Sequence, residues 1–118
     1  MWRIMLKSKI HRATVTSSNL HYEGSITIDE DLMEASSIVP FEQVHIYNIS
    51  NGNRLITYAI PGKRGSGEIC MNGAAARKAS KGDLIIIASY TMVEDREAVN
   101  FKPRLIYVNE KNEIVDKK

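Results

Sequence analysis

A mainly β chain folded as one small barrel is what the sequence predicts, and three observations carry that class. Runs rich in β-branched and aromatic residues, cut by Gly, Asn and Pro, recur about every 8 to 12 residues, the strand spacing of a small barrel. Asn51-Gly52 lies between "VHIYNI" and "RLITYAI". Asn-Gly accepts the positive φ angles of a tight hairpin, so these two runs should pair antiparallel. The chain has 118 residues, 43% hydrophobic and 25% charged, the size and balance of a single folded domain, residues 1–118, that buries roughly two thirds of its unfolded surface.

About six to eight strands are expected, near residues 3–7, 10–16, 24–28, 43–49, 54–60, 67–71, 83–91 and 104–108. Two or more short helices interrupt them. In "EDLMEASS" Leu32, Met33 and Ser36 follow helical spacing, Asp29 supplies an N-cap, and acidic groups occupy the first turn where the dipole favours them. "NGAAARKAS" is the second helix, because its alanines are strong helix formers; it stops before Lys81-Gly82-Asp83. "GKRGSG" at 62–67 is glycine-rich without a phosphate-binding pattern and reads as a turn. The tail "NEKNEIVDKK" is charged, nearly core-free and expected to fray. No internal repeat, linker or low-complexity segment divides the chain.

Sixteen basic and 14 acidic residues give a formal charge of +2, far from the basic stripe of a nucleic-acid-binding surface. A binding barrel would need exposed aromatics interleaved with Lys or Arg on one face; here the basic residues are scattered and only 7% of residues are aromatic. The N-terminal "MWRIMLKSKI" alternates apolar with basic residues, unlike a secretion signal, and no apolar run is long enough to span a bilayer. A cytoplasmic protein is expected, with no nucleic-acid or membrane partner. Cys70 is the only cysteine and reads as a packed thiol. The three histidines form no metal-ligand spacing with Cys70 or with a carboxylate cluster, so no metal is expected. Nor is there a lysine motif for pyridoxal phosphate.

The stretch "LHYEGSITI", residues 20–28, sets Gly24-Ser25 ahead of a strand. A serine hydroxyl can attack the preceding carbonyl carbon and convert the peptide bond to an ester, if the backbone is strained and the developing oxyanion is stabilised. Glycine before serine suits this, since without a β carbon it tolerates unusual φ and ψ values and leaves its carbonyl open. β-Elimination from the ester then releases a chain ending at Gly24 and leaves dehydroalanine at 25, which hydrolyses to a pyruvoyl group. Gly-Ser pairs are common, however, and by itself this one is a turn.

Four segments taken together are more specific: "MLKSKIHRATVT", "LHYEGSITID", "NGNRLITYAI" and "NGAAARKASKGDLIIIAS". In order and spacing, from about residue 1 to 108, they resemble the pyruvoyl-dependent aspartate 1-decarboxylases, which make β-alanine for pantothenate and coenzyme A biosynthesis. The resemblance implies a double-psi β-barrel and autocatalytic cleavage between Gly24 and Ser25 into a β chain, 1–24, and an α chain, 25–118. It further implies a homotetramer with sites at subunit interfaces, with a maturation factor as an optional partner. Tyr47 departs from the family pattern, where tryptophan is expected, and so does Pro61-Gly62-Lys63.

Within that resemblance Ser25 is the source of the covalent pyruvoyl cofactor, whose ketone would form a Schiff base with L-aspartate and accept the electrons left by carbon dioxide. Tyr58 resembles the proton donor to the resulting carbanion. Arg54 is implied in substrate binding, and its planar fork suits a carboxylate; Lys9 is a second cation for the same task. Strand alternation independently puts Lys9 with His11, and Arg54 with Tyr58, on shared faces. His11 and Tyr22 are further candidates beside the cofactor, whereas His21 and His45 read as structural or exposed. Thr57 should face away from Tyr58, although the family places both at the site. A bulge, a backbone contact or a site shared by two subunits would reconcile them, and the shared site is favoured. Its hydroxyl also suits the Gly24 carbonyl as that becomes an oxyanion. Asn72, Gly73, Ala74 and Ala75 open the second helix, where free N–H groups could receive a substrate carboxylate.

Overall fold

A computed structural model of the chain describes residues 1–116. Nine strands form one sheet: β1 Trp2–Thr14, β2 Ser17–Asn19, β3 Ser25–Asp29, β4 Gln43–Asn48, β5 Arg54–Gly62, β6 Ile69–Asn72, β7 Leu84–Glu94, β8 Arg104–Val108 and β9 Ile114–Val115. Helices α1, Glu30–Ser36, and α2, Asp95–Ala98, join them, together with a 3-10 helix at Gly73–Arg77. The mainly β class with short helices is as expected. The separate strands expected at 3–7 and 10–16 are instead a single strand, β1. Neither Gly nor Pro interrupts it, so the breaks in its pattern are absorbed as register shifts against β7, between Leu6 and Ser8 and between Ile10 and Ala13, where Arg12 takes φ 63.

The hydrogen-bond order is β2-β6-β3-β5-β4-β7-β1-β8-β9. Strand β1, at one side of this series, runs straight through Val15 and Thr16 into β2, at the other. The seam is tied by Val15 N–H to the Asp83 carbonyl (2.9 Å), Thr16 N–H to the Ile69 carbonyl (2.8 Å) and Gly82 N–H to the Val15 carbonyl (2.8 Å). The sheet therefore closes on itself as a barrel, which leaves few unpaired edges. Three pairings within it, β2 with β6, β3 with β5 and β1 with β8, are parallel, while β3 with β6, β4 with β5, β4 with β7, β1 with β7 and β8 with β9 are antiparallel. Isoleucines 10, 26, 46, 69, 85 and 87 point into the core and are fully buried, each contributing about 1.5–3 kcal/mol relative to exposure.

The β4–β5 hairpin pairs antiparallel as expected. Its turn is longer than a two-residue loop: Gly52 N–H and the Asn53 carbonyl both bond back to Asn48, and only Gly52 takes positive φ. Helix α1 buries Leu32, Met33 and Ser36, and the Asp29 carboxylate accepts from Asp31 N–H at 2.8 Å. The same carboxylate, almost fully buried, also accepts from Gly65 and Gly67 N–H, so the 62–67 turn is anchored to the helix start.

Two expectations need correction. The second helix is a five-residue 3-10 turn, not a helix through Ser80; Asn72 ends β6 and its side chain caps nothing. The tail does not fray over residues 109–115. Asn112 is buried, its side chain bonded to Thr14 N–H, Thr14 carbonyl and Gly67 carbonyl (each 2.8 Å), and β9 pairs with β8. A single asparagine that mimics a strand partner is invisible in a charged segment. Residues 117 and 118 of the expected tail lie outside the described residues.

Candidate active site

Three adjacent strands carry one row of side chains. Ser25 on β3 is opposite Asn72 on β6, and Ile26 on β3 is opposite Ala59 on β5. Ile26, Ala59 and Met71 point into the core, so their neighbours Ser25, Tyr58 and Asn72 share the outer face. Continuing the parallel register by one place sets Tyr58 beside Ser25, and by two sets Thr57 beside Gly24.

Ser25 and Asn72 are nevertheless buried, at 2% and 1% exposure. Asn72 Nδ2 donates to Ser25 Oγ (3.1 Å) and to Thr27 Oγ1 (2.9 Å), while Asn72 Oδ1 accepts from Cys70 Sγ (3.2 Å). Both amide hydrogens are thus used on hydroxyl oxygens, and the thiol fixes which way the amide faces. Cys70 is packed as expected, but it also does this. Thr27 and Cys70 escaped the sequence reading; their two-residue offsets from Ser25 and Asn72 were the available signal.

Gly73 explains the next contact. It takes φ +60, and a β carbon there would lie 2.6 Å from the Tyr22 carbonyl, 2.7 Å from Gly24 N and 2.8 Å from Gly24 Cα. The missing side chain is what lets the segment ending in Gly24 lie against β6 and the 3-10 helix. Gly24 itself differs from expectation: its φ lies outside the left-handed region, and a β carbon would meet nothing nearer than Ala74 N at 4.0 Å. The backbone conformation that demands glycine falls at 73, the residue packed on Gly24 N and Cα. Tyr22 and Ala74 are exposed, and Ala75 is buried. Five residues of 3-10 helix align few peptide dipoles, so what this corner offers is close backbone approach.

Tyr58 is 36% exposed and its ring faces Phe41, with centroids 6.3 Å apart; both line a shallow cleft with Thr57. The β4–β5 register runs unbroken from Gln43–Tyr58 to Tyr47–Arg54, so no bulge turns Thr57 to the face of Tyr58. Arg54 shares that face, four residues away. Its guanidinium lies 4.7 Å over the Tyr47 ring, and no carboxylate pairs with it among the described residues. Tyr47 and Tyr90 join hydroxyls at 2.7 Å, a bond that, with partial burial, pushes Tyr90 up to about 12.

Lys9 and His11 are not brought to this row. On β1, Lys9 lies between Ala88 of β7 and Leu105 of β8, while His11 is opposite Tyr107 of β8, whose ring it meets edge-on at 5.7 Å. Strands β4 and β7 separate them from β5. His21 is exposed, and His45 lies between Tyr47 and Tyr90, 4.9 Å from the latter. A cleft of about 860 Å³ between α1, the 65–67 turn and residues 111–114 adjoins the Asp29 end of β3, the end opposite Ser25. Among the described residues no group of three or more His, Cys, Asp or Glu could hold a metal, and no helix is long and apolar enough to cross a membrane.

A carbonyl group at residue 25 fits these surroundings. The hydrogen-bond partner of Ser25 is a neutral amide N–H, and no charged side chain bonds to it.

Comparison with known proteins agrees with this geometry. The aspartate decarboxylase family matches residues 1–115. The aspartate 1-decarboxylase of Syntrophus aciditrophicus is 62% identical over 114 residues, 97% of this chain and 98% of the relative. That of Thermoanaerobacter pseudethanolicus is 59% identical over 116 residues, 98% and 99% of the two chains. That of Hydrogenobaculum sp. is 59% identical over 118 residues, covering 100% of this chain and 93% of the relative.

Proposed function

Because the chain belongs to the aspartate decarboxylase family, we propose how it removes the 1-carboxylate of L-aspartate to give β-alanine and carbon dioxide: with a pyruvoyl group made from Ser25. It is a carboxy-lyase, and β-alanine is the product that pantothenate biosynthesis requires. The observation that carries the proposal is a buried Ser25, preceded by Gly24, whose hydroxyl accepts from Asn72, with β5, the strand of Tyr58, paired alongside.

The chain first cuts itself. Ser25 Oγ attacks the Gly24 carbonyl carbon; the new C–O bond forms as the peptide C–N bond breaks, and the nitrogen takes the proton. Thr57, which an extension of the β3–β5 register would bring beside Gly24, is suited to donate to the carbonyl oxygen as it gains charge. β-Elimination of the resulting ester then separates residues 1–24, ending in a carboxylate, from residues 25–118, and water displaces the amino nitrogen of residue 25 as ammonia. When present, a ketone at residue 25 supplies a sink for the electron pair that departing carbon dioxide leaves behind.

The remaining residues bind and protonate. Arg54 presents a fork without a carboxylate partner on the Tyr58 face, suited to a substrate carboxylate. Tyr58 delivers the proton to the substrate carbon, and the backbone at Gly73, Ala74 and Ala75, with Tyr22 across from it, shapes the wall the substrate meets. Lys9 and His11 reach the site from a neighbouring copy, in a homotetramer with sites at its interfaces. Two features support this: their separation from β3 within one chain, and an exposed apolar outer face on the β1, β7 and β5 strands that includes Ile4 (72%), Met92 (59%) and Ile56 (61%). A cytoplasmic location is part of the same proposal, supported by the family's biosynthetic role.

Denaturing mass spectrometry of the purified protein should show two chains, one ending at Gly24 and one with a blocked residue 25. Ser25→Ala should stay whole and inactive, whereas Tyr58→Phe should cleave and lose most decarboxylation. A chain that stays intact on prolonged incubation, including with cell extract to supply a maturation partner, would overturn the cleavage; full activity in Tyr58→Phe would remove Tyr58 as proton donor.

A further inference from the structure

Arg54 is exposed on a strand next to a hairpin turn, where a long side chain ordinarily samples many rotamers and loses that freedom on gripping a ligand. Here it does not stand alone. Arg54 and Tyr47 are cross-strand partners in β4–β5, and the guanidinium carbon lies 4.7 Å over the Tyr47 ring, within the distance at which an aromatic face attracts a cation. The ring is itself braced: its hydroxyl meets that of Tyr90, on β7, at 2.7 Å, and the two rings flank His45. Three neighbouring strands thus contribute to holding one cation. A stacked guanidinium keeps its N–H edges open, in contrast to Arg64, whose N–H groups are occupied by Asp31 and Glu34.

We propose that Tyr47, locked by Tyr90, is a positioning residue for substrate binding, holding the Arg54 guanidinium edge-outward so that a substrate carboxylate meets a pre-set fork. The proposal rests on the reading of Arg54 as a substrate-carboxylate group. Neither tyrosine touches the reacting atoms, so the effect belongs to KM and not to kcat. A cation–π contact of about 0.5–2 kcal/mol corresponds to roughly a two- to thirtyfold change in binding.

The test is steady-state kinetics on the fully cleaved enzyme with L-aspartate. Tyr47→Leu should raise KM by about two- to thirtyfold with kcat nearly unchanged and self-cleavage complete by mass spectrometry. Tyr47→Trp, which keeps a ring face for the cation, should restore KM towards its original value. Tyr47→Phe and Tyr90→Phe each remove the same hydroxyl pair, so each should raise KM by a smaller factor, and the double variant should be no worse than either alone. Unchanged KM in Tyr47→Leu overturns the proposal, as does a fall in kcat or cleavage that Tyr47→Trp fails to rescue. Arg54→Ala separates the underlying reading: if KM is unaffected there, Arg54 does not bind substrate, whereas a large KM effect in Arg54→Ala beside none in Tyr47→Leu sinks the positioning role alone.

Discussion

At the scale of single residues the site depends on two neighbours, Asn72 and Gly73, that act in different ways. Asn72 uses its side chain, both amide hydrogens going to Ser25 and Thr27 while its oxygen takes the Cys70 thiol. Gly73 uses the lack of one. Substituting alanine there would force a β carbon to within 3 Å of the Tyr22 and Gly24 backbone at a φ that L residues disfavour. Gly73→Ala is therefore expected to lose about 1–3 kcal/mol of stability and to slow or abolish cleavage, as the scissile bond is pushed off Asn72. Thermal denaturation and a mass-spectrometric time course would check both, and cleavage at the original rate would show that the close packing is unnecessary. Gly24→Ala, which meets only ordinary contacts, should leave stability nearly unchanged.

At the scale of elements, Glu42 joins three segments. Its carboxylate accepts from Lys7 Nζ on β1 (2.6 Å), from the Ser89 hydroxyl on β7 and from Val39 N–H ahead of β4 (3.0 Å). Burial pushes the carboxyl up, but the Lys7, Ser89 and Val39 hydrogen bonds and the Lys7 charge together outweigh it and hold Glu42 below the usual carboxylate range. A folded value below the unfolded one favours the ionised, folded state. The stabilisation is complete above the unfolded value and is lost as pH falls through the folded one. The melting temperature should therefore drop more steeply between about pH 5 and pH 3 in the unaltered protein than in Glu42→Gln. Parallel profiles would mean that this junction does not contribute. The segment matters for chemistry because Phe41 N–H and the Glu42 carbonyl both bond to Ala59, next to Tyr58.

At the scale of the whole molecule, the barrel separates two sets of residues that the proposed reaction would use. Ser25, Tyr58 and Asn72 occupy β3, β5 and β6, whereas Lys9 and His11 lie on β1 beyond β4 and β7. If a neighbouring copy supplies Lys9, then Ser25→Ala and Lys9→Ala chains, each inactive alone, should recover part of the activity when co-expressed in mixed oligomers. No recovery in mixed oligomers verified by native mass spectrometry would place both groups in the same protomer.

What the sequence determined by itself was local or carried by motif. Alternation of apolar residues set most strands and the faces of Arg54, Tyr58 and Thr57; Asn51-Gly52 set the hairpin; Asp29 set the start of α1; and four ordered segments set the family. Such features depend on side-chain periodicity and on backbone preferences of a few consecutive residues. Tertiary structure alone decided the rest: that Asn72 meets Ser25 across 47 positions of sequence, that the backbone demand for glycine falls on Gly73 and not Gly24, that Asn112 stitches the tail to β1, and that Tyr90 holds the Tyr47 ring on which Arg54 rests. Each of these is a contact between distant strands, fixed by register and barrel closure, and no spacing along the chain encodes which strands become neighbours.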